Sequence, residues 1–185
     1  PPADSTRPQH EEAVRRTTLW AERQVEAPRA PGQLRFGIAQ GGTDPDLRRR
    51  SIEEIAALAC DGFALGGLAV GESRLAMLET VAWAAPLLPS GKPRYFMGLG
   101  DPEGILEVVA RGIDMFDCVL PTRLGRNGWA FTSEGMIKIR NAEWKEHGGP
   151  VDPACACACC RRFSRAYIRH LFNVEEILGL SMLSL

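Results

Sequence analysis

Between residues 36 and 119, short apolar runs alternate with longer stretches in which apolar residues recur at helical spacing. Runs of four or five residues next to glycine or proline are typical of buried strands. Four such runs are found, at Phe36–Ala39, Gly62–Leu65, Arg94–Met97 and Met115–Val119. The pattern therefore predicts four strands separated by helices.

The helical stretches begin at residues that can cap a helix. Asp44 or Asp46 precedes the first, Ser73 precedes the second, and Asp101 followed by proline and glutamate precedes the third. Strand and helix in alternation predict parallel βα units, built either as an open doubly wound sheet or as part of a (βα)8 barrel. A closed barrel has eight units in about 250 residues, so the four units at 36–123 make about half of one.

The segments on either side follow other patterns. Residues 1–35 are rich in proline and charge, contain one predicted helix at 11–26, and form a lead-in segment. At 124–150 we predict an inserted β-hairpin region, because Asn127-Gly128 is a typical two-residue hairpin turn and alternating residues follow it. Strands are expected at Trp129–Thr132 and Met136–Arg140, with another turn at Ser133–Gly135 between them.

The last predicted segment, 151–185, opens with a cluster of cysteines and continues as two helical stretches, at 164–172 and 174–183. Of six cysteines, four fall within 155–160. Neighbouring cysteines close strained disulfide loops, so this spacing favours binding of a soft metal ion in a reducing compartment, and we expect a cytoplasmic protein.

Composition narrows the class of protein without naming a function. With 185 residues, 45% of them hydrophobic and 24% charged, the chain has the profile of a globular protein, and one domain is the default. No apolar run approaches the ~20 residues of a membrane span, and residues 1–35 contain no charged-then-apolar pattern, so we do not expect secretion. The net charge is −1, so contact with nucleic acid would require a local basic patch.

The fourth strand carries the first catalytic candidate. Asp117 lies where barrel enzymes place catalytic groups, at the carboxyl end of a parallel strand. An aspartate there can attack the C1 carbon of a sugar and hold it as a covalent ester. The alternative is a structural aspartate that accepts hydrogen bonds from a neighbouring loop.

Ligand-binding candidates follow the other strands. Gln40 offers a donor and an acceptor that complement a purine edge, and the glycines near Gly67 and Leu68 let a ligand approach the backbone. Tyr95 and Met97 can flank a planar ligand, although such residues also serve as core. Tight turns between strand and helix explain the glycines equally well.

Basic residues follow the catalytic candidate closely. Arg123 and Arg126, with Lys138 and Arg140, form a strip that can hold phosphates or serve as the solvated face of a hairpin.

The cysteine cluster is the most specific piece of chemistry. Cys155, Cys157 and Cys160 can converge on one tetrahedral ion, and Zn²⁺ is the expected choice because it needs no redox partner. The fourth ligand stays open, since none of the candidates has an obviously suitable spacing. These candidates are Cys159, His147 and His170.

From about Trp20 to the end, the chain resembles the tRNA-guanine transglycosylases, also called queuine tRNA-ribosyltransferases. The resemblance rests on four strings that occur in this order: FGIAQGG, GFALGGLAVGE, PRYFMGLGDPEGILEVVARGIDMFDCVLPTRLGRNG and CACACCRRFSRAYIRHLF. It implies a (βα)8 TIM barrel with a zinc subdomain. It also implies exchange of guanine at the wobble position of tRNA anticodons for a 7-deazaguanine precursor of queuosine.

The resemblance also implies roles for individual residues. Asp117 matches the nucleophile that forms a covalent link to the ribose, and Gln40 matches a base-reading glutamine. Glu72 matches the carboxylate that steadies the base-recognising peptide. That peptide corresponds to Gly67, Leu68 and Ala69, the pocket walls to Tyr95 and Met97, and the anticodon-loop contacts to Arg123 and Arg126.

The segment LAVGE after Gly67 resembles that of the bacterial branch of the family. The substrate of this branch is preQ1, and its members pair as homodimers. The aromatic contact of that homodimer corresponds to Phe163, Tyr167 and His170, which would make His170 an interface residue.

The family pattern also has parts that would fall outside this sequence. A second catalytic aspartate, a general acid/base, would lie before Pro1, as would another aspartate that binds the guanine edge, and a zinc-binding histidine would follow Leu185. We therefore expect an internal fragment that is inactive alone. The alternatives are a non-catalytic subunit that binds tRNA or a partner on the same scaffold, and a zinc-stabilised hydrolase acting on another nucleoside.

Overall fold

A computed structural model describes all residues from Pro1 to Leu185. It is a mixed α/β structure with a parallel sheet and eight α-helices, which confirms the predicted class. The chain divides into two compact units, Pro1–Cys118 and Val119–Leu185.

The sheet of the first unit contains four strands, β1 (Phe36–Ala39), β2 (Gly62–Leu65), β3 (Arg94–Met97) and β4 (Met115–Asp117). They pair in chain order and all are parallel, so that their carboxyl ends meet at one edge of the sheet. The first three strands have the predicted bounds. The fourth ends at Asp117, two residues earlier than predicted.

Four helices belong to this unit, α1 (Arg7–Glu26), α2 (Pro45–Ala56), α3 (Arg74–Ala84) and α4 (Pro102–Val109). The 3-10 turn Ala85–Leu87 follows α3. Three of the four begin as the sequence predicts, because the side chains of Asp44, Ser73 and Asp101 accept hydrogen bonds from the first turns of α2, α3 and α4. Asp44, not Asp46, is the cap of α2.

The core of the first unit lies between the sheet and its helices. Every residue of β2 is buried, as expected of a strand covered on both faces. Phe63 and Phe96 are fully buried, and they pack with Ile55 and Val81 from α2 and α3. Burying a side chain of this size stabilises the fold by about 1.5–3 kcal/mol, which makes this core the support on which the strand ends are held.

The second unit contains a two-stranded antiparallel sheet and four short helices. Its elements are α5 (Leu120–Arg126), β5 (Trp129–Thr132), β6 (Gly135–Lys138), the 3-10 turn Ala142–Trp144, α6 (Ala158–Arg162), α7 (Arg165–Asn173) and α8 (Ile177–Leu183). Ile137, Ile139, Ile168 and Phe172 form the centre of a separate core.

The turn predicted at Asn127-Gly128 is wrong. Thr132 pairs with Gly135, so the hairpin turns at Ser133 and Glu134, within the other predicted turn at 133–135. Asn127 instead ends α5, where its backbone N–H bonds to the carbonyl of Arg123, and Gly128 follows with φ +79°. A positive-φ glycine serves the end of a helix as well as a hairpin turn, which is why the dipeptide misled.

Helix α5 itself was not predicted. Pro121 indicated only the end of a strand, whereas it lies in the first turn of this helix, where a missing N–H costs nothing. Helix α8 begins three residues later than predicted, after Glu175 with φ +58°.

None of the eight helices combines the length and the apolar character that a membrane span requires.

Candidate functional site

Asp117 is the last residue of β4, and its exposed carboxylate is held in place by two donors. The hydroxyl of Tyr95 donates to Asp117 Oδ1 at 2.6 Å, and the backbone N–H of Gly98 donates to the same oxygen at 3.1 Å. The Tyr95 hydroxyl, and after it the Gly98 amide, lowers the pKa of Asp117 below its usual value. The same bond raises the pKa of Tyr95 to about 12. Asp117 is therefore ionised at neutral pH.

A pocket of about 360 Å³ lies beside this carboxylate at the carboxyl edge of the sheet. Its volume falls within the range of small-molecule sites. All four strands or the residues that follow them contribute to it: Ile38, Gln40, Gly66, Gly67, Leu68, Ala69, Val70, Met97, Gly98 and Asp117. Most of the predicted site residues of the first unit thus meet at one place. Asp117 is the only carboxylate among the lining residues.

Tyr95 does not line this pocket, although sequence reasoning placed it as a wall. It points to the same side of β3 as Met97, where its hydroxyl meets Asp117 and its ring packs edge-on against Phe36 at 6.4 Å between centroids. Its hydroxyl therefore contacts the carboxylate of Asp117 and does not form a wall of the pocket.

Gln40 fills the space that Gly67 leaves open. A Cβ atom on Gly67 would lie 2.6 Å from Gln40 Oε1, and Gly67 has φ +67°. Glycine is therefore required for both space and backbone conformation. Gln40 Oε1 is buried and has no hydrogen-bond partner. An unpaired buried acceptor is costly, and here it lies at a pocket that a ligand N–H can enter.

The stretch after β2 presents backbone to the pocket. The side chain of Leu68 is buried in the core, and Ala69 adopts φ +57°, a strained conformation for a residue with a Cβ. Glu72 fixes this turn, because its carboxylate accepts hydrogen bonds from the backbone N–H groups of Ala69 and Val70. The family resemblance implies that Glu72 steadies the base-recognising peptide, and this role stays a prediction.

Two polar residues on α2 were missed from the sequence. Arg48 and Ser51 are fully buried, and they bond to the backbone around Gln40. The signal was present, because Arg48 falls on the same helical stripe as Ser51, Ile52 and Ile55. Three consecutive arginines at 48–50 concealed it, since such a run is typical of an exposed face.

The basic candidates belong to the second unit. Arg123 and Arg126 are exposed and lie three residues apart on α5, which places them on one face of that helix. Lys138 and Arg140 are exposed as well, with Lys138 above the ring of Trp129 and Arg140 above that of Phe172. These side chains are available to phosphates.

Cys155, Cys157 and Cys160 bring their sulfur atoms within 4.8 Å of one another. Cys157 begins α6, and the backbone N–H of Cys160, donating to its sulfur, is the main cause that lowers the pKa of Cys157. Burial raises the pKa of Cys160 to about 12. Convergent thiols of this kind fit a soft ion, because the ion deprotonates its ligands and replaces the repulsion between thiolates.

None of the candidates for a fourth ligand joins this cluster. Cys159 turns into the core of the second unit, where burial raises its pKa to about 11. His147 packs edge-on against Trp144, and His170 is exposed on α7. The pocket beside the thiols is instead lined by the end of the chain, including Met182, Leu183 and Leu185.

Together, the parallel sheet with an ionised strand-end carboxylate and the separate three-thiol cluster define an α/β protein with one candidate active site and one candidate metal site. The family model for queuine tRNA-ribosyltransferase matches residues 1–185. The chain belongs to this family.

Individual relatives agree with the family model, and each is named queuine tRNA-ribosyltransferase. The protein of Nitratidesulfovibrio vulgaris is 50% identical over 186 residues, which cover 100% of this chain and 50% of the relative. The protein of Herpetosiphon aurantiacus is 50% identical over 100% of this chain and 47% of the relative. The protein of Geobacillus kaustophilus is 46% identical over 100% of this chain and 49% of the relative. The chain spans about half the length of these curated relatives.

Proposed function

We propose that this chain supplies the nucleophile and the base pocket of a tRNA-guanine transglycosylase. The reaction exchanges guanine at the anticodon wobble position for preQ1, in the biosynthesis of queuosine. The observation that carries the proposal is an ionised Asp117 beside a pocket that contains the unpaired acceptor of Gln40.

The chemistry proceeds in two displacements at one carbon. A carboxylate oxygen of Asp117 attacks C1′ of the ribose, and the C1′–N9 bond breaks with its electron pair on guanine. Guanine takes up a proton from the general acid/base that the family pattern places outside this sequence, and the same group later accepts the N9 proton of the incoming base. An ester between Asp117 and the tRNA holds the sugar. The incoming base then loses its N9 proton and attacks C1′, which releases the carboxylate unchanged.

Base recognition follows from the groups that reach the pocket. Gln40 Oε1 accepts a hydrogen bond from a ring or amino N–H of the base, and the Gly67–Ala69 stretch reads its edge with backbone groups. Met97 packs on the face of the base. Because Glu72 holds the Ala69 and Val70 amides, the backbone is arranged before the base arrives.

The same proposal accounts for the organisation of the fold. We infer that the four parallel strands are part of a (βα)8 barrel, since β1 and β4 are edge strands that can each take a further neighbour. We propose the domain limits that the sequence predicts, namely a lead-in at 1–35, βα units at 36–123, a hairpin region at 124–150 and a zinc subdomain at 151–185; the compact units divide five residues earlier than the second of these limits, between Cys118 and Val119. The chain alone is expected to be inactive, because Asp117 is the only acid lining the pocket and no second one serves as general acid/base.

The second unit supplies the contacts to tRNA and to a second copy. Arg123 and Arg126 hold phosphates of the anticodon loop from one face of α5. Tyr167 is exposed and stacks on Phe163 at 5.2 Å between ring centroids, which gives α7 an aromatic patch for homodimer formation together with His170. A tRNA substrate and a cluster of thiols support a cytoplasmic location for this activity.

Zn²⁺ is the ion we assign to Cys155, Cys157 and Cys160, with a fourth ligand from outside this set. When bound, the ion ties α6 to the turn before it, and its role is structural.

The test uses a chimera in which this chain replaces the matching half of the Nitratidesulfovibrio vulgaris relative. We expect it to incorporate labelled guanine into tRNA, and the Asp117→Asn variant to lose at least about a thousandfold in rate, because the nucleophile is gone. A protein–tRNA adduct should be visible on a denaturing gel with the intact chimera alone.

Asp114→Asn is the matched control. It makes the same charge change three residues away, where an amide oxygen can still accept the backbone N–H of Arg94. Exchange that survives Asp117→Asn would favour a non-catalytic subunit. Release of free guanine without exchange would favour a hydrolase. Exchange by the 185-residue chain alone, dependent on Asp117, would overturn the expected inactivity.

A further inference from the structure

Arg48 is the largest fully buried side chain of the protein, and it forms no ion pair. Its guanidinium donates four hydrogen bonds, all to backbone carbonyls. Nη1 reaches Ala39 at 3.0 Å and Gly66 at 2.8 Å, while Nε and Nη2 reach Gly42 at 3.1 and 2.6 Å. Burial lowers its pKa to about 10, so the group remains charged at neutral pH.

The three carbonyls belong to three different segments of the site. Ala39 is the last residue of β1, Gly66 directly follows β2, and Gly42 lies in the turn between β1 and α2. Each acceptor is next to or within two residues of a group that lines the pocket, namely Gln40 or Gly67. The guanidinium therefore fixes the two base-reading segments to one another.

Neighbouring contacts also restrict the turn at 40–42 beside the Arg48 guanidinium. One turn further along α2, Ser51 Oγ accepts the backbone N–H of Gln40 at 2.9 Å. A Cβ on Gly41 would lie 2.6 Å from the backbone nitrogen of Arg48, and a Cβ on Gly42 would lie 2.9 Å from the ring of His10. Both glycines have positive φ, so the turn closes over the guanidinium in a conformation that only glycine adopts readily.

A buried cation without an ion pair is an expensive way to stabilise a core. An apolar side chain of similar volume would often stabilise the fold as well or better. What an apolar residue cannot do is bind three carbonyls at once, because that requires the fork of N–H donors of a guanidinium. The opposite charge that acts on Arg48 is Glu72, which holds the other end of the Gly66–Val70 segment through two amides.

We propose that Arg48 is a positioning residue for base recognition: it holds the ends of β1 and β2 so that Gln40 and the Gly67–Ala69 backbone face the same base. It does not touch the base or the ribose. This role rests on the proposed function, and its structural part can be measured without any activity.

The structural test compares Arg48→Lys with wild type in the 185-residue chain by amide hydrogen exchange. Lysine keeps the charge but has one point of attachment, so it cannot reach all three carbonyls. We expect the N–H groups of Gln40 and Gly66 to exchange at least about tenfold faster, since their partners move, while those of α4 stay within about twofold. Arg165→Lys is the control, because Arg165 is the other buried arginine, lies in the second unit and also donates to backbone carbonyls.

The functional test uses the same variants in the chimera. Arg48→Lys should raise the KM for guanine about tenfold or more, with the KM for tRNA and kcat within about twofold, because only base binding depends on the fixed segments. Arg165→Lys should leave the KM for guanine unchanged.

Two results would overturn the positioning role. One is uniform loss of protection across the first unit, which would make Arg48 a general stabiliser. The other is a kinetic result in which the KM for guanine and the KM for tRNA rise in parallel, or in which neither of them rises. A wild-type chimera without exchange would contradict the proposed function instead, and hydrogen exchange would still decide whether Arg48 fixes these segments.

Discussion

The two units hold their candidate sites by different means. In the first, backbone and side-chain hydrogen bonds between protein groups already fix the pocket: Tyr95 and Gly98 hold Asp117, and Glu72 holds the turn after β2. In the second, three thiols converge, and backbone N–H groups donate to the sulfur atoms of Cys155 and Cys157, but no cationic side chain joins the cluster. The first site is preorganised by the chain, whereas the second is a set of three thiols whose arrangement fits a metal ion.

This difference indicates that the two units are stabilised in different ways. A large core supports the strand ends of the first unit, and a small one supports the second, whose polypeptide is short. Small units with little core usually need a metal or a disulfide. Four tryptophans allow each unit to be followed separately, since Trp20 and Trp83 belong to the first and Trp129 and Trp144 to the second.

Metal removal should have the largest effect. We expect a chelator to broaden or shift the fluorine NMR signals of 5-fluorotryptophan at Trp129 and Trp144 and to leave those of Trp20 and Trp83 in place. Structural zinc contributes about 10 kcal/mol or more in small domains, which is more than the second core alone can replace. Cys157→Ala should act like the chelator. Cys159→Ala should keep the zinc, and loss of zinc in both variants would contradict the three-thiol assignment.

Removing one buried ring from either core should have the next largest effect on stability. Phe63→Ala and Phe172→Ala each remove a buried ring, and each should cost about 3–5 kcal/mol. Denaturant titration followed by the same fluorine signals should show that Phe63→Ala lowers the midpoint of the first unit alone. The zinc-loaded second unit should respond only to Phe172→Ala. A shared midpoint for all four signals would show that the units unfold together.

Helix caps provide a smaller, matched comparison. Ser73 accepts the backbone N–H of Ala76 at the start of α3, and Ser164 accepts that of Tyr167 at the start of α7. Replacing either serine by alanine should destabilise its own unit by about 1 kcal/mol. With metal removed, Ser164→Ala should have no measurable effect on the first unit. Thermal unfolding of both variants, with and without chelator, measures this.

Tyr95→Phe should have the smallest effect on stability of these variants, but a clear effect on the pKa of Asp117. Without the hydroxyl, the pKa of Asp117 should rise toward its usual value. A lowered carboxyl pKa adds stability above the unfolded pKa, and this is lost as pH falls through the folded pKa. The variant should therefore lose its small share of this stability near neutral pH and differ least from wild type in strong acid. Carbon NMR titration of the Asp117 carboxyl group measures the shift, and an unchanged pKa would show that Gly98 alone holds the carboxylate.

Local patterns were sufficient for much of the first unit. Strands β1 to β3 and the caps Asp44, Ser73 and Asp101 follow from short apolar runs and adjacent cap residues, which depend on few neighbours. The family resemblance is confirmed by the match over the whole chain. The site roles of individual residues stay predictions until the variants are measured.

Features that depend on tertiary context were not predicted. Helix α5 was missed because Pro121 and Asn127-Gly128 have the same local chemistry in a helix as in a strand and a turn. Arg48 was missed because burial of one arginine among three depends on carbonyls brought together from distant segments. Likewise, only the structure shows that Tyr95 meets Asp117, since twenty-two residues separate them.

The edge strands β1 and β4 have a practical consequence for anyone who handles this chain. Unpaired strand edges are templates for other strands, so concentrated samples are expected to self-associate edge to edge. These edges are only four and three residues long, which limits how strongly one copy can hold another. Dilute samples, or a fusion partner that crowds the edge, should therefore keep the chain in solution long enough to study.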